Sequence, residues 1–164
     1  MTFAFLFPGQ GSQSVGMMSA FSELSVVKDT FEEASSIMQK DMWQLAQAGA
    51  QEELAITTNT QPLMLTSDVA VYRAWVELGG HSPSIVAGHS LGEYAALVTA
   101  GALVFSDAVS LVQKRSTLMQ NAVPSGIGAM AAVLGLSDED IQTACERAKA
   151  QNGGVAEAAN YNAP

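Results

Sequence analysis

The pentapeptide Gly88-His89-Ser90-Leu91-Gly92 constrains this chain more than any other feature. It falls between an apolar run of strand length, Ser84-Ile85-Val86-Ala87, and a helical pattern over residues 93–100. A chain that turns this sharply from strand to helix must hold the turn residue in a strained conformation. Glycine is needed on both sides so that neither neighbour clashes. The product is an exposed hydroxyl on Ser90, at the top of a sheet and beside the free N–H groups that open a helix. That arrangement suits attack on a carbonyl. The competing reading is a tight turn in which Ser90 only caps the helix, because a lone G-x-S-x-G is common by chance.

A first strand is predicted over residues 3–7, a continuous apolar run of the kind found in buried parallel strands. Pro8-Gly9-Gln10-Gly11-Ser12-Gln13 breaks it. Helical patterns follow over residues 25–38, with Val26, Val27, Phe31, Ala34 and Ile37 on one side. Another covers 61–78, apolar on most faces and so expected to be largely buried. A further helix runs to about residue 122, with Ser106 or Asp107 as its cap. Composition shifts at Pro124-Ser125-Gly126. Beyond it the pattern predicts a strand at 129–134, an acidic-capped helix from Ser137 to about Ala150, and a strand at 155–159. Strands alternating with helices predict an α/β layer architecture with a mainly parallel sheet.

Composition excludes several classes of function. The 164 residues carry 7 Lys and Arg against 16 Asp and Glu, a net charge of −9, and the cations are scattered. That argues against nucleic-acid binding and against an anionic membrane surface. No apolar run approaches the ~20 residues that span a bilayer. The single cysteine, Cys145, allows no internal disulfide, so a reducing cytoplasmic setting is expected. It reads as half-buried helix packing rather than a nucleophile. No spacing suits a metal, a phosphate loop or a nucleotide.

Other residues stay ambiguous on their own. The glycine loop at 9–13 follows the first strand, where ligands approach parallel sheets, and could present N–H groups to an oxyanion; a plain glycine turn is the alternative. Arg115 could grip a carboxylate with two parallel hydrogen bonds, or it could be a helix-surface arginine, which the bare residues favour. His89 adjoins Ser90, but neighbours at an elbow project differently, so it is expected to pack on the sheet top. His81 reads as a solvent-facing turn residue, and Asn160 and Asn162 as turn residues.

Together, residues 7–13, Gln61-Pro62, Gly88-His89-Ser90-Leu91-Gly92-Glu93-Tyr94 and Arg115 resemble the malonyl-CoA:acyl-carrier-protein transacylases of type II fatty-acid synthesis. The acyltransferase domains of polyketide synthases are close relatives. The resemblance implies a large α/β-hydrolase-like subdomain over 1–125 and the start of a small ferredoxin-like subdomain over 126–164, both incomplete. It makes Ser90 the catalytic nucleophile that carries malonate as an ester, and the backbone N–H groups of Gln10 and Leu91 the oxyanion hole. Arg115 would pair with the free carboxylate, His89 would lie near the acyl group, and Asn160 and Asn162 would border the site. The implied mechanism is ping-pong, from malonyl-CoA to the phosphopantetheine thiol of acyl carrier protein, with no cofactor or metal. Leu91 after the serine fits malonyl rather than methylmalonyl units.

The resemblance also implies a histidine base, a late glutamine and closing strands that do not occur in these 164 residues, so the chain alone is expected to be inactive. An apolar sheet edge is expected to favour aggregation or pairing with another fragment. The elbow equally suits a serine esterase or thioesterase, and the missing base suits a non-catalytic fragment. Arg115 separates these, since a hydrolase of neutral esters has no use for an arginine opposite its nucleophile.

Overall fold

The computed structural model describes residues 2–124 and 126–162. Met1, Ser125, Ala163 and Pro164 lie outside the described residues, and with them part of the composition shift at 124–126. The chain divides into two compact units, Met1–Val123 and Pro124–Pro164.

In the first unit two parallel strands pair, β1 (Ala4–Phe7) and β2 (Ile85–Gly88), in the register Ala4↔Ile85 through Phe7↔Gly88. Between them in sequence come α1 (Ser25–Met38), α2 (Met42–Ala48), α3 (Gln51–Leu54) and α4 (Thr57–Glu77). After β2 come α5 (Gly92–Thr99) and α6 (Phe105–Gln120). α4 packs against α1, α5 and α6, which explains a helix apolar on nearly every face. Leu63 and Leu65 are fully buried along it. Its buried hydroxyls need partners and find them one turn back: Thr66 donates to the Pro62 carbonyl at 2.7 Å and Ser67 to that of Leu63 at 2.8 Å. Phe31 of α1 is also fully buried, against the edge of the Trp43 ring.

Several expectations need correction. The strands are not buried on both faces. Phe5 and Phe7 point inward, where Phe5 meets Tyr72 and Trp75 edge to face at 5.7 and 5.8 Å. Leu6 (75 % exposed) and Ile85 (62 %) lie on the opposite face, which no described helix of this unit covers. Strand alternation produces this directly: successive side chains leave by opposite faces, and helices lie against only one. The last turn of α4 likewise emerges from the core, leaving Trp75, Val76 and Leu78 exposed. The helix ahead of Arg115 begins at Phe105 behind Val104, with no side-chain cap from Ser106 or Asp107; Asp107 instead adds charge to the first turn. The short helices α2 and α3 were not expected. Asp41 opens α2 by accepting from Gln44 N at 2.7 Å.

The second unit holds α7 (Asp138–Asn152). Ser137 caps it, accepting from Asp140 N at 3.2 Å, and Asp138, Glu139 and Asp140 fill its first turn, as favours the positive end of a helix. Lys149 in the last turn pairs with Glu157 at 3.1 Å, and Gln142 donates to the Tyr161 hydroxyl at 2.9 Å. Cys145 sits half-buried on α7. The strands expected at 129–134 and 155–159 do not form; both segments are irregular, with Met130, Leu134 and Val155 exposed. An extended segment becomes a strand only when a neighbour completes its ladder, and no described residues of this unit supply one.

Candidate active site

The turn from β2 into α5 is built as the glycines require. A Cβ on Gly88 would lie 2.1 Å from the carbonyl carbon of Gly92, and one on Gly92 would lie 2.2 Å from the Phe7 carbonyl oxygen. Neither position tolerates a side chain, because the backbone itself occupies the space. Between them Ser90 adopts φ 53°, the left-handed region that a serine rarely enters. Gln39, which closes α1, is the other non-glycine there among the described residues. The Gly92 N–H donates to the His89 carbonyl at 2.9 Å, and Glu93 and Tyr94 continue the turn toward Ser90 and Leu91.

This elbow presents Ser90 to Arg115. Arg115 Nη2 donates to Ser90 Oγ at 3.0 Å, and Nη1 donates to Gln61 Oε1 at 2.5 Å. The guanidinium carbon lies 5.8 Å from the centre of the Tyr94 ring, within cation–π range. Arg115 is half-buried while its neighbour Lys114 is exposed, so the surface-arginine alternative is set aside by its contacts. Three elements converge here: the elbow supplies Ser90, α6 supplies Arg115 and the first turns of α4 supply Gln61.

The loop after β1 forms the facing wall. His89 N donates to the Phe7 carbonyl at 3.1 Å, and the His89 imidazole lies against Gly9, where an added Cβ would sit 2.9 Å from Nδ1. Among the described residues neither the Gln10 nor the Leu91 backbone N–H donates to another group of the chain. The Gln10 side chain reaches across to α4, donating to Thr57 Oγ1 and accepting from Gln61 Nε2, both at 3.4 Å. His81 is exposed, its carbonyl accepting from Trp75 Nε1 at 2.9 Å. Asn160 and Asn162 are exposed residues of the second unit.

Gln61 helped carry the family resemblance but was given no site role, although its side chain is fully buried and touches Arg115, Gln10 and Met119. A signal existed: a glutamine at the start of a helix otherwise apolar on most faces must be hydrogen-bonded if it is buried. Further along α4 lies Asp68. Its Oδ2 is enclosed without a hydrogen-bond partner, and burial pushes its carboxyl up to about 7. An open groove on α1 and α2, lined by Lys28, Glu32, Lys40 and Trp43 among others, includes none of the residues around Ser90. Among the described residues no cluster of His, Cys, Asp and Glu could hold a metal ion, and no helix is long and apolar enough to cross a membrane.

Chemically, the site offers a hydroxyl on a strained backbone, a cation beside it and the Gln10 and Leu91 N–H groups, which donate to no other group among the described residues. Arginine donates only, so Arg115 cannot take the serine proton and a base must come from elsewhere.

Comparison with known proteins gives a consistent picture. Residues 4–160 match the family described as Acyl transferase domain. Malonyl CoA-acyl carrier protein transacylase of Escherichia coli (strain K12) is 52% identical over 163 residues, covering 99% of this chain and 52% of that protein. The crystal structure of acyl-carrier-protein S-malonyltransferase from Burkholderia pseudomallei 1710b superposes with a TM-score of 0.92 at 57% identity, over 100% of this chain and 53% of that one. A type II polyketide-synthase acyl-carrier protein in complex with its malonyl-transacylase, PlMCAT:AntF, gives a TM-score of 0.86 at 49% identity, over 91% of this chain and 48% of the other. The chain thus spans about half the length of the relatives it matches.

Proposed function

The chain belongs to the acyl transferase domain family, and from that premise we propose that it forms part of an enzyme moving a malonyl group from malonyl-CoA to the phosphopantetheine thiol of acyl carrier protein. The observation that carries this reading is the 3.0 Å hydrogen bond from Arg115 Nη2 to Ser90 Oγ. It sets a guanidinium fork, which matches a carboxylate in shape and charge, within reach of an acyl group on the nucleophile. The names of its relatives, and the carrier-protein complex formed by one of them, support the same substrates.

In the first half-reaction Ser90 Oγ attacks the thioester carbonyl carbon and gives its proton to a base. The oxyanion is met by the Gln10 and Leu91 N–H groups, which donate to no other group among the described residues. The C–S bond then breaks, and CoA departs with a proton on sulfur. In the second half the carrier-protein thiol attacks the serine ester, its proton passes through the same base, and Ser90 Oγ leaves as the hydroxyl. The malonyl carboxylate is held by Arg115 throughout, with His89, Asn160 and Asn162 bordering the acyl group by family resemblance. The base by that resemblance is a histidine other than His81 and His89. These 164 residues alone are therefore expected to transfer malonyl far more slowly than a protein in which that histidine is present. We read residues 1–125 as an α/β-hydrolase-like subdomain and 126–164 as the start of a ferredoxin-like one.

Intact-mass measurement after incubation with malonyl-CoA tests the proposal. In a protein that also carries the histidine base, one malonyl group should appear on Ser90, be absent from Ser90→Ala, and discharge onto the phosphopantetheine thiol of acyl carrier protein, whereas residues 1–164 alone should label far more slowly. Release of free malonate with no transfer to the thiol would instead identify a thioesterase.

A further inference from the structure

We propose that Gln61 is a positioning residue that aims the Arg115 guanidinium, and thereby sets a preference for acyl groups ending in a carboxylate. The inference rests on the malonyl-transfer reading above and deepens it.

Gln61 is a fully buried polar side chain in the first turns of α4, and each of its polar atoms is engaged. The orientation of its amide follows from chemistry. Arginine has no acceptor, so the atom that faces Arg115 Nη1 at 2.5 Å must be Oε1. Nε2 then points the other way, donating to Met119 Sδ at 3.3 Å and to Gln10 Oε1 at the longer distance of 3.4 Å. That contact in turn orients the Gln10 amide, whose Nε2 donates to Thr57 Oγ1. The donor-only character of Arg115 thus passes through Gln61 to the loop that follows β1.

A neutral acceptor suits this task better than a charged one. Oε1 of Gln61 occupies one N–H of Nη1 without cancelling the positive charge, and Ser90 occupies one N–H of Nη2. The guanidinium is held at both terminal nitrogens, with its charge still available to a substrate carboxylate. A carboxylate at position 61 would make the same bond and neutralise the cation. An apolar side chain there would leave the fork free to rotate, and the substrate would have to bear the entropy of ordering it.

The test is equilibrium titration of malonyl-CoA and acetyl-CoA by calorimetry into the protein and its Gln61 variants, which requires no turnover. Gln61→Met, similar in length and without hydrogen-bonding groups, should reduce the malonyl-over-acetyl preference by about tenfold or more with acetyl-CoA affinity unchanged. Gln61→Glu should abolish the preference. In an Arg115→Ala background, Gln61→Met should change nothing further. If Gln61→Met does not fold, Gln61→Glu, of equal length, carries the comparison. A preference that survives both variants overturns the proposal. So does an equal loss for both thioesters, which is what a purely structural role would give. Absence of any preference in the unaltered protein defeats the malonyl reading itself, a result recognisable before any variant is examined.

Discussion

Arg115 on α6 and Ser90 on the turn between β2 and α5 meet through one hydrogen bond of 3.0 Å from Nη2 to Oγ. Replacing Arg115 by alanine should weaken reaction with malonyl-CoA by about 3 kcal/mol while changing acetyl-CoA little, because only the former loses a charged partner in a partly desolvated site. Acylation rates with the two thioesters, in a protein where the histidine base is present, measure this. Equal losses on both would remove the carboxylate clamp from the mechanism.

The elbow glycines should divide sharply from the other glycines. Gly88→Ala places a Cβ 2.1 Å from the Gly92 backbone and should cost more than about 3 kcal/mol, or prevent folding. Gly79→Ala faces open space and bears only the strain of its φ of 84°, about 1–2 kcal/mol. Urea unfolding of both proteins distinguishes steric collision from backbone strain.

Asp68 should make stability depend on pH. Burial moves its carboxyl from an ordinary 3.8 to about 7, so the folded state binds the proton more tightly than the unfolded state between those values. The contribution is complete at acidic pH and is lost as pH rises through about 7. Asp68→Asn, which stays neutral, should therefore gain about 1–3 kcal/mol on the unaltered protein between pH 4 and pH 8. Unfolding curves for the pair at those two pH values give the difference. A constant offset would show that Asp68 does not titrate in this range.

The uncovered face of the sheet should tolerate substitution where the helical core does not. Leu6→Thr, on a side chain 75 % exposed, should stay within about 0.5 kcal/mol of the original and lessen self-association. Leu65→Ala, at a fully buried position of α4, should cost about 2–5 kcal/mol. Thermal unfolding combined with light scattering reports both effects.

These positions also show what could be read in advance. The elbow, both parallel strands and the helices carrying Val27, Leu65, Arg115 and Cys145 were legible, because local periodicity and glycine placement encode them. The exposed face of Leu6 and Ile85 was not: an apolar run reads the same whether one face or two are covered. The segments at 129–134 and 155–159 have strand composition but no ladder, since β structure depends on partners that local sequence does not name. In the site, Ser90 was visible from its own neighbours. The contact of Gln61 with Arg115, across 54 positions of sequence, depends on how α4 lies against α6.

The edge-to-face packing of Trp75 against the first strand has a spectroscopic consequence. Its ring meets Phe3 and Phe5, binds the His81 carbonyl and covers Gly80, yet 41 % of the residue faces solvent. Trp43, the chain's other indole, is more enclosed and sits edge-on to the buried Phe31 ring. The two emitters therefore stand at separate places in the first unit and in different polarity. Red-shifted, acrylamide-sensitive emission would come from Trp75 and follow the docking of the strand onto α4, while bluer, shielded emission from Trp43 would follow the core of α1 and α2.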